Sequence, residues 1–370
     1  MTSPERMRAT YEFRPVDHLY RREFYIWEEA LARWREEGLP EDHGATNLFN
    51  YDPGYNTSPG ANLGWCEPPL VPAYESKVIQ DEGNYEIIQD WAGRWLKVFK
   101  GRRHGFMPDY LRHPVTCLKD WEEEVAPRLD PATPQRYEAL DEACVRAKQA
   151  QAEEGTFVSQ GMVGGYMYLR ALAGPEDLLL MFYDQPTLIH AMMQRWLGLA
   201  EAALTRLQSQ VELDEFSIGE DICYNHGLLI SPDMVREFLL PYYQQLVTGL
   251  RRRQQRKLYF IVDTDGHAPA AIPLYLQAGM DVMWPFEVAS GCDVVAIGRQ
   301  YPELILMGGI DKRALAAGKD AIEAHLQHVL PPLVERGGYV PMCDHGVPDN
   351  VSFEDYLYYR RRICELDHRC

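Results

Sequence analysis

Residues 258–267 read Leu-Tyr-Phe-Ile-Val-Asp-Thr-Asp-Gly-His: an apolar run, 258–262, stops at Asp263, Asp265 and His267 around a glycine turn. The pattern predicts a strand followed by a helix, with three groups able to bind a proton or a metal ion at the strand's carboxyl end. In a barrel that end forms the mouth, where binding and catalytic groups collect.

The same rhythm runs to either side. Strands are expected at 46–51, 156–160, 213–218, 258–262, 281–284, 304–307 and 339–342, and helical stretches follow them, including 231–255, where Ser231-Pro232 is a natural start. Strand then helix, repeated in this way, requires parallel pairing. No Gly-x-Gly-x-x-Gly turn follows the first strand, and ionisable groups close many strands instead of meeting at one crevice. The expected fold is therefore α/β, a distorted TIM (β/α)8 barrel, and not a doubly wound open sheet. Its eighth strand has no counterpart in the pattern.

Residues 17–38, with Tyr25, Trp27, Leu31 and Trp34 among charges and a stop at Gly38 and Pro40, predict an amphipathic helix. Short alternating runs between 65 and 113 predict an antiparallel β insertion near the N-terminus, within a single domain spanning 1–370.

Composition narrows the function. The 370-residue chain is long enough for a substantial core. Its net charge of -18 argues against a nucleic-acid groove, which needs clustered Lys and Arg. Eight cysteines without close pairing, behind a start with no secretory leader, read as reduced thiols in a cytoplasmic protein. No run approaches the roughly 18 apolar residues of a membrane helix.

If the strands close into a barrel, their ends supply Asp52, Glu220 and Asp221, then Asp263, Asp265 and His267, then Glu287, Asp311, Cys343 and His345. Two chemistries suit this set. In one, Asp263, Asp265 and Cys343, together with His267 or His345, hold a divalent metal, with zinc the expected ion. In the other, Asp52 or Asp265 stabilises a cationic intermediate while His345 handles a proton. Each residue also has a structural reading: Asp265 as a cap, His267 as packing, Cys343 as a buried thiol, Glu220 and Asp221 bonded to the 225–226 loop. Tyr51, Tyr166, Tyr168, Trp284 and Phe286 suggest a small, flat or partly apolar substrate.

Several motifs taken in order resemble the uroporphyrinogen decarboxylase superfamily, which includes the decarboxylase of haem synthesis and zinc methyltransferases of corrinoid-dependent methyl transfer. They are Ser231-Pro232 with Phe238 and Pro241, Thr264-Asp-Gly-His267, Gly308-Gly-Ile-Asp311, and His345-Gly with Pro348 and Glu354. The resemblance runs from about residue 17 to the C-terminus and implies a distorted barrel and a homodimer. It places Asp52 like the decarboxylases' catalytic aspartate. Where those enzymes carry an arginine segment that holds substrate carboxylates, this chain reads Tyr20-Arg-Arg-Glu-Phe-Tyr-Ile-Trp27, leaving Arg21 or Arg22 as substitutes.

Against the methyltransferases' His-x-Cys-Gly pattern and later Cys, Asp263 and Asp265 stand at the His and Cys positions, Gly266 at the Gly, and Cys343 at or near the later Cys. No Asp-x-His-x-x-Gly corrinoid signature is present, so a corrinoid would arrive on a separate partner protein. The leading expectation is a metal-assisted methyltransferase or demethylase, with Glu220 and Asp221 orienting the substrate. The alternatives are a metal-free decarboxylase using Asp52 and His345, and a non-catalytic binding barrel.

Overall fold

The computed structural model describes residues 1–44, 46–101 and 108–367. Residues 102–107, inside the expected 65–113 insertion, lie outside the described set.

The strands, in chain order, are β1 (Asn56–Thr57), β2 (Lys77–Glu82), β3 (Tyr85–Gln89), β4 (Trp95–Phe99), β5 (Asp109–Arg112), β6 (Phe157–Val163) and β7 (Glu215–Gly219). They continue with β8 (Cys223–Tyr224), β9 (Gly227–Leu228), β10 (Tyr259–Thr264), β11 (Val282–Pro285), β12 (Ile305–Met307) and β13 (Tyr339–Val340). One parallel sheet of seven strands runs β1-β6-β7-β10-β11-β12-β13, and an antiparallel sheet, β2-β3-β4-β5, falls between its first two members. The fold is thus α/β and TIM-like, and six of the seven expected barrel strands lie within a few residues of their predicted places.

Helices cover the outside of the large sheet and bury its outward side chains, among them Phe216, Ile218, Phe260, Val262, Met283 and Leu306. A separate inner cluster holds Phe157, Tyr259, Ile261, Val282, Ile305, Met307, Val340 and Met342, closed below by Met7 and Tyr11 of the helix Ser3–Tyr11. Successive strand residues point to opposite faces, so these two clusters define which positions face inward. Burial of each such aliphatic side chain contributes about 1.5–3 kcal/mol. Caps fix the helix starts: Ser231 Oγ accepts from Met234 N at 3.1 Å, as its Ser-Pro spelling predicts.

Two expected elements differ. The run 46–51 is a turn, because Asn47 and Asn50 adopt φ of 49° and 54°, and the Asn47 amide bonds both N (2.9 Å) and O (2.8 Å) of Tyr51. Asparagine tolerates that left-handed backbone and supplies such local bonds. The first strand is therefore β1, and Asp52 precedes it instead of closing it.

The expected helix 17–38 is also shorter, Glu28–Glu36. Residues 20–27 are not helical and bond to segments that flank both edge strands of the large sheet. On one side Arg21 N donates to Asp52 Oδ2 at 2.8 Å and Asp52 N to the Arg21 carbonyl at 2.8 Å. On the other, Trp27 N donates to Val347 O at 3.1 Å, Val347 N to Tyr25 O at 2.9 Å, and Cys343 N to Glu23 Oε1 at 2.7 Å. Tyr20 and Phe24 join the inner cluster while Glu23 meets Cys343 and Tyr356 on the other side, a strand's alternation. Among the described residues no helix is long and apolar enough to cross a membrane.

Candidate active site

The pleat sorts the strand-end groups. Asp263 shares the inner parity of Tyr259 and Ile261, and its register partners are Gly219 and Trp284, so these three stand at one level near the carboxyl end. Glu220 and Cys343 have the opposite parity. Glu220, fully buried, turns into the helix layer, where its Oε1 accepts from Tyr243 Oη at 2.6 Å and Tyr275 Oη at 2.5 Å. Cys343 belongs to the outer core, its Sγ 3.8 Å from Asp344 Oδ1. The expectation that both line the mouth is thereby corrected: one residue of offset along a strand reverses the face.

What gathers at the mouth is Asp221, Asp263, Asp265 and His345. His345 Nε2 lies 3.3 Å from Asp265 Oδ2, and its Nδ1 lies 3.3 Å from the Tyr25 hydroxyl. Hydrogen bonding to Asp265, reinforced by its charge, lifts the His345 pKa above the ordinary histidine value against the opposing cost of burial. Burial, then the charges of Asp265 and Asp221, push Asp263 well above the carboxylate range. Asp221 is raised by burial and by Asp265, and its φ of 42° turns it toward them. The site thus sets a carboxyl whose proton is held more tightly than usual beside an imidazole whose charged form is favoured, an arrangement suited to giving and receiving protons.

Aromatic rings surround these groups. Phe24 packs edge-on against Trp284 with centroids 5.0 Å apart, and the Arg22 guanidinium stacks over Trp284 at 5.4 Å. Among the described residues Arg22 forms no ion pair. Beside it, Tyr25, Ile26, Leu31, Phe49 and Tyr51 line a cavity of about 500 Å³. Trp65 lies over Gly161 and Gly219, where a Cβ would come within 3.2 Å of its ring. Gly346 serves His345 in the same way, since a Cβ there would stand 2.4 Å from both Trp27 Nε1 and the Tyr25 ring.

The remaining candidates have structural roles. Asp52 accepts from Arg6 Nη1 at 3.2 Å and Arg21 N at 2.8 Å and stands 3.1 Å from His18 Nε2. These bonds clasp the N-terminal segment, and Asp52 also lines the cavity beside Arg22. His267 Nδ1–H donates to the Ser290 carbonyl at 2.7 Å. Glu287 pairs with Lys312 at 3.0 Å and accepts from Gly266 N, and Asp311 caps the helix Lys312–Ala316.

The four residues expected to hold a metal are consequently divided. Asp263 and Asp265 face the mouth, the His267 ring is engaged with the loop, and the Cys343 thiol faces the outer core. Among the described residues no three His, Cys, Asp or Glu side chains converge as a metal site. Held apart in this way, these four side chains offer a zinc ion no common site.

The sequence reading left out Trp65, the Tyr25 contact to His345, and Glu215. Glu215 lies inside the sheet on β7, accepting from Tyr11 Oη at 2.6 Å and Tyr55 Oη at 3.0 Å, and burial raises its pKa. The alternation of Tyr20, Arg22 and Phe24 could have revealed residues 20–27 as non-helical. Nothing local marks Trp65, which reaches the site from a loop.

The fold and site define a parallel α/β protein of the TIM-like class with an acid–base cluster at its strand ends. The sequence model of uroporphyrinogen decarboxylase (URO-D) matches residues 106–360, and the chain belongs to that family. It is similar to the uroporphyrinogen decarboxylase of Trichlorobacter lovleyi, 25% identical over 47% of this chain and 49% of the relative. It is also similar to that of Alcanivorax borkumensis, 26% identical over 52% of this chain and 53% of the relative, so the chain spans about half the length of these curated relatives. A methyltransferase from Methanosarcina mazei shares the fold, with a TM-score of 0.61 and 16% identity over 99% of each chain.

Proposed function

We propose that the chain is an acid–base enzyme of the decarboxylase type, acting on a small acid attached to an electron-rich, nitrogen-containing ring. Residues 20–27 serve as the stave that closes its barrel. The observation that carries this reading is the Asp265–His345 pair at 3.3 Å, set beside half-buried Asp263 and ringed by aromatic side chains. A substrate carboxylate meets Arg22, and the ring lies against Trp284 and Phe24. Asp263, as the carboxylic acid, protonates the ring, which accepts the electron pair of the breaking bond to the carboxylate as carbon dioxide leaves. His345, as the imidazolium, then delivers a proton to the carbon left behind, and the ring proton returns to Asp263. Asp265 stabilises positive charge on the ring and on His345.

Methyl transfer assisted by a metal, the other expectation, would need Asp263, Asp265 and Cys343 on one ion with His267 or His345. Cys343 packs in the outer core, on the face opposite Asp263, and the His267 ring is bonded to the Ser290 carbonyl.

The test is carbon dioxide release from uroporphyrinogen and from the monopyrrole porphobilinogen under anaerobic conditions, with and without chelator. Release should persist with chelator and fall about 100-fold or more in His345→Gln. Methyl transfer to a thiol that is lost on chelation and restored by zinc, or full activity in His345→Gln, would overturn the proposal.

A further inference from the structure

Trp65 reaches the mouth from the loop between β1 and β2, and the backbone of that loop is pinned. Gln160 clasps it, Oε1 accepting from Ala61 N at 2.9 Å and Nε2 donating to Ala61 O at 3.0 Å, and Val163 N donates to Leu63 O at 3.2 Å. Gly64 then makes the turn at φ 73°, where a Cβ would stand 2.1 Å from the Glu67 carbonyl oxygen, so only glycine fits.

The indole rests on two more glycines. Gly161 of β6 and Gly219 of β7 share the inward parity of Phe157 and Glu215, while their neighbours Met162 and Ile218 belong to the outer core. A Cβ on Gly161 would meet Trp65 Cε3 and Cζ3 at 3.2 Å, and one on Gly219 would meet Cε2 at 3.2 Å and Cδ2 at 3.4 Å. Cε2 and Cδ2 join the two rings of the indole and can be approached only from a face. One face of Trp65 therefore lies on the Gly219 backbone. Trp65 is still 38% exposed, and that exposure falls away from the strands, on the opposite face and the rim.

The platform stands beside the acid. Gly219, Asp263 and Trp284 are register partners on the adjacent parallel strands β7, β10 and β11, with strands about 4.8 Å apart. Trp65 thus flanks Asp263 on one side, and Trp284 flanks it on the other. Trp284 is already covered by Phe24 and Arg22, whereas among the described residues no ring or cation stacks on Trp65.

We propose that Trp65 is a specificity determinant whose open face receives the planar ring of the substrate, so that the site takes a small acid carried on a flat, unsaturated ring over its puckered equivalent. The inference rests on the mouth as the site for a ring-bearing acid. Stacking on an indole that is fixed before binding adds attraction at little cost in ordering.

The experiment titrates pyrrole-2-carboxylate and its saturated counterpart cyclopentanecarboxylate into the full-length protein by calorimetry, and follows the indole N–H signals by NMR. Wild type should bind the pyrrole acid about fivefold or more tightly than the saturated acid. The pyrrole acid should also shift the Trp65 indole signal upfield. Trp65→Ala should abolish the preference and Trp65→Phe should keep most of it. Gly161→Val, which fills the slot but keeps the indole and every ionisable group, should weaken the preference as Trp65→Ala does. Equal affinity for the two acids in wild type, binding of neither, or a preference that survives Trp65→Ala would overturn the proposal. If uroporphyrinogen and porphobilinogen release no carbon dioxide while the preference behaves as expected, the decarboxylase reading falls and the platform stands. Carbon dioxide release with a preference indifferent to Trp65→Ala removes the platform and leaves the reaction.

Discussion

His345 and Asp265 face each other across the mouth, ring Nε2 to carboxylate Oδ2 at 3.3 Å, with Tyr25 against the second ring nitrogen. Asp265 favours the imidazolium, so His345 remains a proton donor to higher pH than a free histidine. The rate should be highest where His345 is charged and should fall as pH rises through its raised pKa. Asp265→Asn should move that limb, and the His345 ring signal in a proton NMR titration, to lower pH. An unmoved ring titration would show that the pair does not set the donor.

Asp52 offers a contrast, since its partners Arg6, His18 and Arg21 N are groups that hold the N-terminal segment. Asp52→Ala leaves Arg6, 4% exposed, with Asp17 as its remaining carboxylate, and removes the acceptor of Arg21 N. The variant should lose about 2–3 kcal/mol in urea denaturation. Its rate per folded molecule should stay within about twofold of wild type, whereas a catalytic Asp52 would show the reverse.

Cys343 should behave as an inert core thiol. Burial, with Glu23 and Asp344 nearby, raises its pKa well above the ordinary thiol value, so little thiolate forms at neutral pH. In the native protein it should not react with a disulfide reagent until the chain is unfolded, as peptide mapping would reveal. Cys343→Ala should cost about 1 kcal/mol of stability and leave activity unaltered.

Glu220 gives a pH dependence of known sign. Burial pushes its pKa from 4.5 up to about 8, so between those values the folded chain holds a proton that the unfolded chain has released. Its contribution therefore declines as pH rises from about 4.5 to about 8 and is constant beyond. Glu220→Gln should abolish that slope, and the wild-type loss relative to the variant should amount to roughly 3 kcal/mol or more across the window. Denaturation curves at pH 5 and pH 8 read it directly. Gly164→Ala, which drives a methyl into the same carboxyl, should cost about 3 kcal/mol or prevent folding.

The amino-acid sequence by itself determined the strand–helix rhythm, the parallel sheet and the short list from which the site is drawn. Apolar runs of strand length, glycine turns and caps such as Ser231 are local properties, and local energetics suffice to fix them. It could not say which strand-end groups share the mouth. Both faces of a covered parallel sheet are apolar, so Val262 and Ile261 look alike although one faces the helices and the other the interior. Only the tertiary structure, by setting the parity of each strand, sends Asp263 inward and Glu220 and Cys343 outward. It likewise keeps residues 20–27 out of the helix, because their backbone bonds are to Asp52 and Val347, partners distant in the chain. The same contacts bring Tyr25 to His345.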